Sequence, residues 1–326
     1  MGAYMSVEAA FTKGGEIAAS KDKLAALSFK NFNEDCHHYI GHTILMVAMP
    51  ILEESEEHLR ANPEDAVKLL DYIDMAAGRA RSDDLTRLRS RVITFANAGV
   101  HFHDLLIKAN RGFKHPITGR LLCPVTKLER FDTDPAAFYR DICKKEIKII
   151  AEDWPLFLYD EELRVPGKIK PGLLRSPLLR RCYQVIWTGP QSALADDEDD
   201  ADSGSKGQPP LSVKYNLRRV TPATIIYVCS LVRNLLTSRG AFASVRDIDW
   251  KGADFERSLV KLFECNPAWK DKTIAWWQQE VYGPASDETD NLPDDCAARL
   301  LEMEDAEEDA QAQREDEEEQ AGDNEH

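Results

Sequence analysis

The sequence has no long apolar run. Its most apolar stretches, around Ile44 to Leu52 and Ala223 to Val232, fall well short of the roughly 18 residues needed to cross a bilayer, so no membrane span is predicted. The first twenty residues lack a basic start followed by an apolar stretch, the mark of a secretory signal, which predicts an intracellular protein, nuclear or cytoplasmic. Cysteine is sparse and unpatterned. The seven, at positions 36, 123, 143, 182, 229, 265 and 296, show no CxxC spacing, so reduced, mostly packed thiols are expected. No GxSxG, P-loop, GxGxxG or HExxH occurs, which leaves no complete catalytic signature: no catalytic residue and no cofactor is assigned. No internal repeat is visible. The opening Met1-Gly2-Ala3-Tyr4-Met5-Ser6 fits the loose N-myristoylation pattern, but no basic cluster follows it to supply a second membrane signal.

What is present is charge, unevenly placed. Residues 285–326 hold 18 acidic residues against only Arg299 and Arg314, an excess equal to the net charge of −16 of the whole 326-residue chain. The other 284 residues carry 39 of each sign, so the low isoelectric point describes the tail and not the folded part. Residues 195–210 form a second acidic stretch, with Asp196, Asp197, Glu198, Asp199, Asp200 and Asp202 among Ser, Gly and Pro. Neither stretch has enough apolar surface to offset chain entropy, and both are expected to be disordered.

Helix starts are written in proline. Asn62-Pro63, Asp134-Pro135, Ser176-Pro177, Thr221-Pro222 and Asn266-Pro267 each place a capping side chain before a residue that has no amide to waste. Helical spacing then predicts helices over 177–188 and 222–236, and near 36–59 (bent or broken at Pro50), 63–77, 83–98, 135–147, 253–265 and 271–281. Ser82 is read as the cap of the 83–98 helix, with Asp83 and Asp84 as its first-turn acids. Residues 111–125 and 147–159 look extended, since His115-Pro116 and Thr118-Gly119 are turn signals. The expected fold class is mainly α: a multi-helix globular body with a short extended or hairpin-like insertion, an acidic loop and an acidic tail. With 43% hydrophobic residues such a body can bury a substantial core.

Several ordered blocks carry a resemblance. They are Gly78-Arg79-Ala80-Arg81-Ser82-Asp83-Asp84, Asn110-Arg111-Gly112-Phe113-Lys114-His115-Pro116, Leu122-Cys123-Pro124, Asp153-Trp154-Pro155-Leu156-Phe157-Leu158-Tyr159, Arg175-Ser176-Pro177-Leu178-Leu179, Val220-Thr221-Pro222-Ala223-Thr224-Ile225 and Ala275-Trp276-Trp277. In this order the chain resembles an uncharacterised domain family abundant in mushroom-forming fungi. The resemblance implies kin of unknown biochemical function without agreed catalytic residues, and an association with mobile elements or expanded gene clusters. The expected organisation is an N-terminal helical segment over 1–69, a helical family core over 70–284 interrupted by the 195–210 loop, and the tail from 285.

Three sets of residues are candidates for function. His38 and His42 lie four apart on one predicted helix, and His101 and His103 follow further on. Such residues bind transition metals, which makes a metal-dependent hydrolase one reading. His103-Asp104 also resembles the doublet of the HD phosphohydrolases, although apart from His101 the nearest upstream histidine, His58, is far back. Charge makes the stronger case. From Leu163 to Arg246 there are 13 lysines and arginines, and the only acids are the six of the 196–202 stretch. Lys168, Lys170, Arg175, Arg180, Arg181, Lys214, Arg218 and Arg219, interleaved with Tyr183, Trp187 and Tyr215, suit phosphate contacts and base stacking. The leading expectation is therefore a non-catalytic protein with a basic surface for nucleic acid or another polyanion, held in check by its own acidic loop and tail. The alternative is a protein–protein adaptor that offers the tail to a basic partner. Trp154 and the pair Trp276-Trp277 read as core anchors.

Overall fold

The computed structural model describes residues 7–20, 38–39, 41–43, 45–46, 49–97, 99–193, 210–214, 219–238 and 252–283. The tail from 285, the acidic stretch up to residue 209, Cys36, Tyr215 and Arg218 lie outside them. The architecture is mainly helical, and no strand occurs among the described residues. Residues 1–277 form one compact unit, and residues 278–326 are assigned to a second, of which the described part completes the last helix.

Among the described residues, eleven principal helices follow a helical stretch at residues 7–19 that includes a π-helical turn at Ala10–Gly14. They are α1 (Pro50–Ala61), α2 (Pro63–Leu88), α3 (Arg91–Phe95), α4 (Phe102–Leu106), α5 (Pro116–Leu122) and α6 (Leu128–Thr133). Then come α7 (Pro135–Cys143), α8 (Pro177–Trp187), α9 (Pro222–Leu236), α10 (Gly252–Cys265) and α11 (Pro267–Tyr282).

The proline punctuation works through two chemistries. Asp134, Ser176 and Thr221 present an oxygen that accepts a free amide of the helix they precede, from Ala137, Leu179 and Thr224. Thr224 returns the contact, taking the Thr221 amide at 3.1 Å, so the start of α9 is a capping box. Asn62 and Asn266 face the other way. Each donates its side-chain amide to a carbonyl of the preceding helix, Asn62 to His58 at 2.9 Å and Asn266 to Leu262 at 3.0 Å. They close one helix by satisfying its orphan carbonyls, while the proline opens the next.

α9 lies at the centre. Every residue from Val228 to Leu236 is buried, as expected of a helix with neighbours on all sides; α2, α3, α5, α8 and α10 pack against it. A second cluster joins Val7 and Phe11 to Leu45, Met46, Leu52 and Leu59, and to Ala66 and Leu70 of α2. The N-terminal half of α2 thus serves one core and its C-terminal half the other.

Two local expectations give way. α2 runs unbroken to Leu88 through Gly78 and Ser82, and Ser82 is no cap, because its hydroxyl donates back to the Gly78 carbonyl at 3.0 Å. Asp84 and Leu88 are buried, and that packing holds the helix together across the glycine. Residues 116–122 are helical where turn signals predict extended chain: His115 caps α5, its Nδ1 accepting the Ile117 amide at 3.3 Å, and Pro116 is the first helical residue. The extended connections that remain are tied by antiparallel bridges between Pro124 and Pro155 and between Tyr159 and Leu173.

Candidate functional site

Asp160–Gly172 is a loop closed at its neck. The Asp160 amide donates to the Gly172 carbonyl at 2.9 Å, beside the Tyr159–Leu173 bridge. Gly172 has φ of +75°, and a Cβ there would collide with the Asp160 carbonyl, so the neck requires glycine. Val165-Pro166-Gly167-Lys168 has the sequence of a type II turn: the Lys168 amide donates to the Val165 carbonyl at 3.0 Å, and Gly167 sits at φ +76° with open space around it. Residues 165–170 are all exposed. At the base Arg120 holds Glu161 at 2.8 Å and Asp132 at 2.9 Å. The hydrogen bond to Glu161, with Asp132 adding to it, raises the Arg120 guanidinium above its usual range.

The loop's cations differ from those of residues 120–130. Arg120 is paired, Lys127 chelates Asp153 with both carboxylate oxygens within 2.8 Å, and Arg130 holds Asp141 at 2.6 Å. Arg164, Lys168 and Lys170 have no ion-pair partner among the described residues.

The other basic candidates divide by use. Arg175 lies over the Trp276 ring, its guanidinium carbon 5.3 Å from the centroid, and Arg181 lies over Phe95 at 5.7 Å; both are half-buried, as is Arg180. Their charges are partly committed to aromatic faces. Lys214 is exposed at the end of a short helix, Leu211–Lys214, that packs on α8, and Arg219 is exposed just before α9. Of the rings proposed for base stacking, Tyr183 is buried within α8 and packed against Trp277, and half-buried Trp187 leans on Tyr183. Tyr183 is a core ring, and Trp187 packs on it at the edge of the core. Ser192 donates to the Gly189 carbonyl and Pro210 lies beside Gly189, so both residues lie near the C-terminal end of α8.

The histidines fall into separate clusters. His38 and His42 are buried in the N-terminal core, where His42 Nε2 lies 3.3 Å from Glu56, which also takes Arg60 at 2.6 Å. Burial alone would raise the Glu56 carboxyl, but Arg60 and His42 outweigh it and hold it low. His101 stands edge-on to His115, ring centroids 5.2 Å apart, while His103 is exposed against Phe102. Asp104 accepts from Asn110 at 2.6 Å and lies 3.8 Å from His115 Nε2. Burial lowers the His115 pKa, His101 adds to this and Asp104 opposes it. Among the described residues no group of three or more His, Cys, Asp or Glu could hold a metal ion.

Arg111, beside this cluster, is fully buried, with no carboxylate partner among the described residues. Its guanidinium donates to the carbonyls of Leu105 at 2.7 Å, Leu235 at 2.6 Å and Arg89 at 3.0 Å. These carbonyls belong to the C-terminal ends of α4, α9 and α2, so three negative helix ends replace the missing anion. Burial, with Arg89 nearby, lowers its pKa to about 10. Lys108 is a second cation here, donating to Asn234 at 2.9 Å and lowered to about 8 by burial and by Arg111 and Arg89.

A further polar layer joins α2, α9 and α10. Tyr227 donates to Asp84 at 2.7 Å, and Asp84 is a buried acid near the C-terminal end of α2, not a first-turn one; burial raises its pKa although Tyr227 and Arg87 favour the carboxylate. Glu256 of α10 is 3% exposed. Burial pushes its carboxyl up to about 7, although Ser230 and Arg81 act against the shift. No sequence pattern marks Glu256. Arg111 and Asp84 do lie in blocks that carry the resemblance, but their partners are distant in sequence.

No curated protein and no solved structure matches the chain. Residues 75–282 match a family described as a family of unknown function, DUF6698. That span covers more than half of the chain and contains α3 to α11, the closed loop and most of α2, and the protein belongs to this family.

Proposed function

We propose that the chain is a non-catalytic binding protein whose basic surface engages a polyanion, with the 195–210 loop and the 285–326 tail competing for the same surface. The observation that carries this reading is the Asp160–Gly172 loop, which exposes Lys168 and Lys170 and carries half-buried Arg164, all three without ion-pair partners among the described residues, while Arg120, Lys127 and Arg130 are neutralised. Cations presented this way favour phosphate contacts. With Tyr183 in the core and Trp187 packed on it, contact with nucleic acid rests on phosphates and not on stacked bases. Competition by the acidic segments follows from their tethering, since a linked polyanion acts at high effective concentration. In this division, residues 70–284 are the binding body and 1–69 a helical segment that buttresses it.

The test is binding of a duplex oligonucleotide across a salt series by the full chain, by a chain ending at Gly283, and by the Lys168→Gln/Lys170→Gln variant. Each phosphate contact contributes about −0.9 to the slope of log K against log salt, so the double variant flattens the slope by roughly 2. The chain ending at Gly283 binds more tightly than the full chain. Binding that ignores salt, or is untouched by the double substitution, refutes the basic-surface reading.

A further inference from the structure

We infer that the polyanion is the anionic surface of a lipid bilayer, entered by the tip of the Asp160–Gly172 loop. This rests on the polyanion reading and narrows it. Besides its cations the loop exposes three aliphatic side chains, Leu163 at 46%, Val165 at 42% and Ile169 at 41%. They flank the Pro166-Gly167 turn, so apolar and basic residues alternate around one tip. Phosphates of a nucleic acid give exposed aliphatics nothing to contact. A bilayer offers both partners at once: aliphatics enter the acyl boundary while Arg164, Lys168 and Lys170 remain among anionic headgroups.

The loop's construction agrees with this use. Proline and glycine in the turn, and the tie at the neck, fix its shape in advance, so little chain entropy is lost on docking. Glu161, itself exposed, is turned to Arg120 at the base, and exposed Glu162 lies beside the neck and not at the tip. The tip itself, residues 163–170, carries three cations and no acid.

The experiment is co-sedimentation of the full chain with vesicles of equimolar phosphatidylserine and phosphatidylcholine, and with phosphatidylcholine alone, beside duplex oligonucleotide binding. The expected result is pelleting with the anionic vesicles only. Lys168→Gln and Lys170→Gln each weaken it about five-fold, roughly 30-fold together. Leu163→Ser/Val165→Ser/Ile169→Ser weakens it about ten-fold or more and leaves duplex binding unchanged. These side chains are substantially exposed, and circular dichroism verifies that the variants keep their helices. Duplex binding without vesicle binding overturns the bilayer inference and leaves the polyanion reading standing. Vesicle binding indifferent to the three serines overturns it as well, since attraction is then purely electrostatic. Binding to neither overturns both.

Discussion

Replacing Glu256 with glutamine makes the protein more stable in mild alkali and changes little in mild acid. The carboxyl lies in the polar layer between α9 and α10, with Ser230 and Arg81 facing it, and burial raises its pKa from 4.5 to about 7. A folded value above the unfolded one means that the native chain binds more protons between the two. Stability is therefore fully present below the unfolded value and declines as pH rises through the window from 4.5 to about 7. The shift corresponds to about 3 kcal/mol at the upper end of that window. Glutamine keeps the shape and the hydrogen-bonding capacity of the neutral acid but never ionises. Urea unfolding of wild type and Glu256→Gln, followed by far-ultraviolet circular dichroism, reads the difference directly, and other titrating groups cancel between the two proteins. The variant is expected to be more stable by up to about 3 kcal/mol near pH 8 and within about 1 kcal/mol of wild type near pH 5. An equal difference at both pH values, or a less stable variant near pH 8, refutes the argument.

Two further substitutions test the core. Arg111→Met leaves the buried carbonyls of Leu105 and Leu235, and the part-buried one of Arg89, without this donor and, at about 1 to 3 kcal/mol for each buried unsatisfied group, lowers stability by at least about 2 kcal/mol in urea unfolding; a melting temperature equal to wild type rejects the helix-end role. Trp277 is fully buried and its Nε1 donates at 2.8 Å to the carbonyl of Leu174, a residue held at φ +57°, so Trp277→Ala costs about 3 to 5 kcal/mol. Trp276→Ala at its half-buried neighbour costs clearly less, and thermal unfolding giving the reverse order refutes this assignment.

The elements legible in the sequence are those whose cause is local. Thr221-Pro222 and Ser176-Pro177 announce helix starts because the cap, the proline and the amide they satisfy lie within four residues. The charge of residues 285–326 is likewise a property of composition. Where two local outcomes compete, reading falters: Asn62 can close one helix as readily as open the next, and His115-Pro116 suits a turn or a helix start equally well. Of the two adjacent tryptophans, nothing in sequence separates the anchor from its neighbour.

Sequence by itself determined the helical class, most proline-marked starts, the acidic end and the stretch from which the basic loop is drawn. Tertiary structure alone decided which charges are spent and which remain available. Arg111 meets Leu235 across 124 residues and Asp84 meets Tyr227 across 143. Arg175 and Arg181 lie on aromatic faces, while Lys168 and Lys170 stand clear. The physical reason is that helix propensity and capping act within a turn or two of chain, whereas burial and pairing depend on surfaces that only the folded chain brings together.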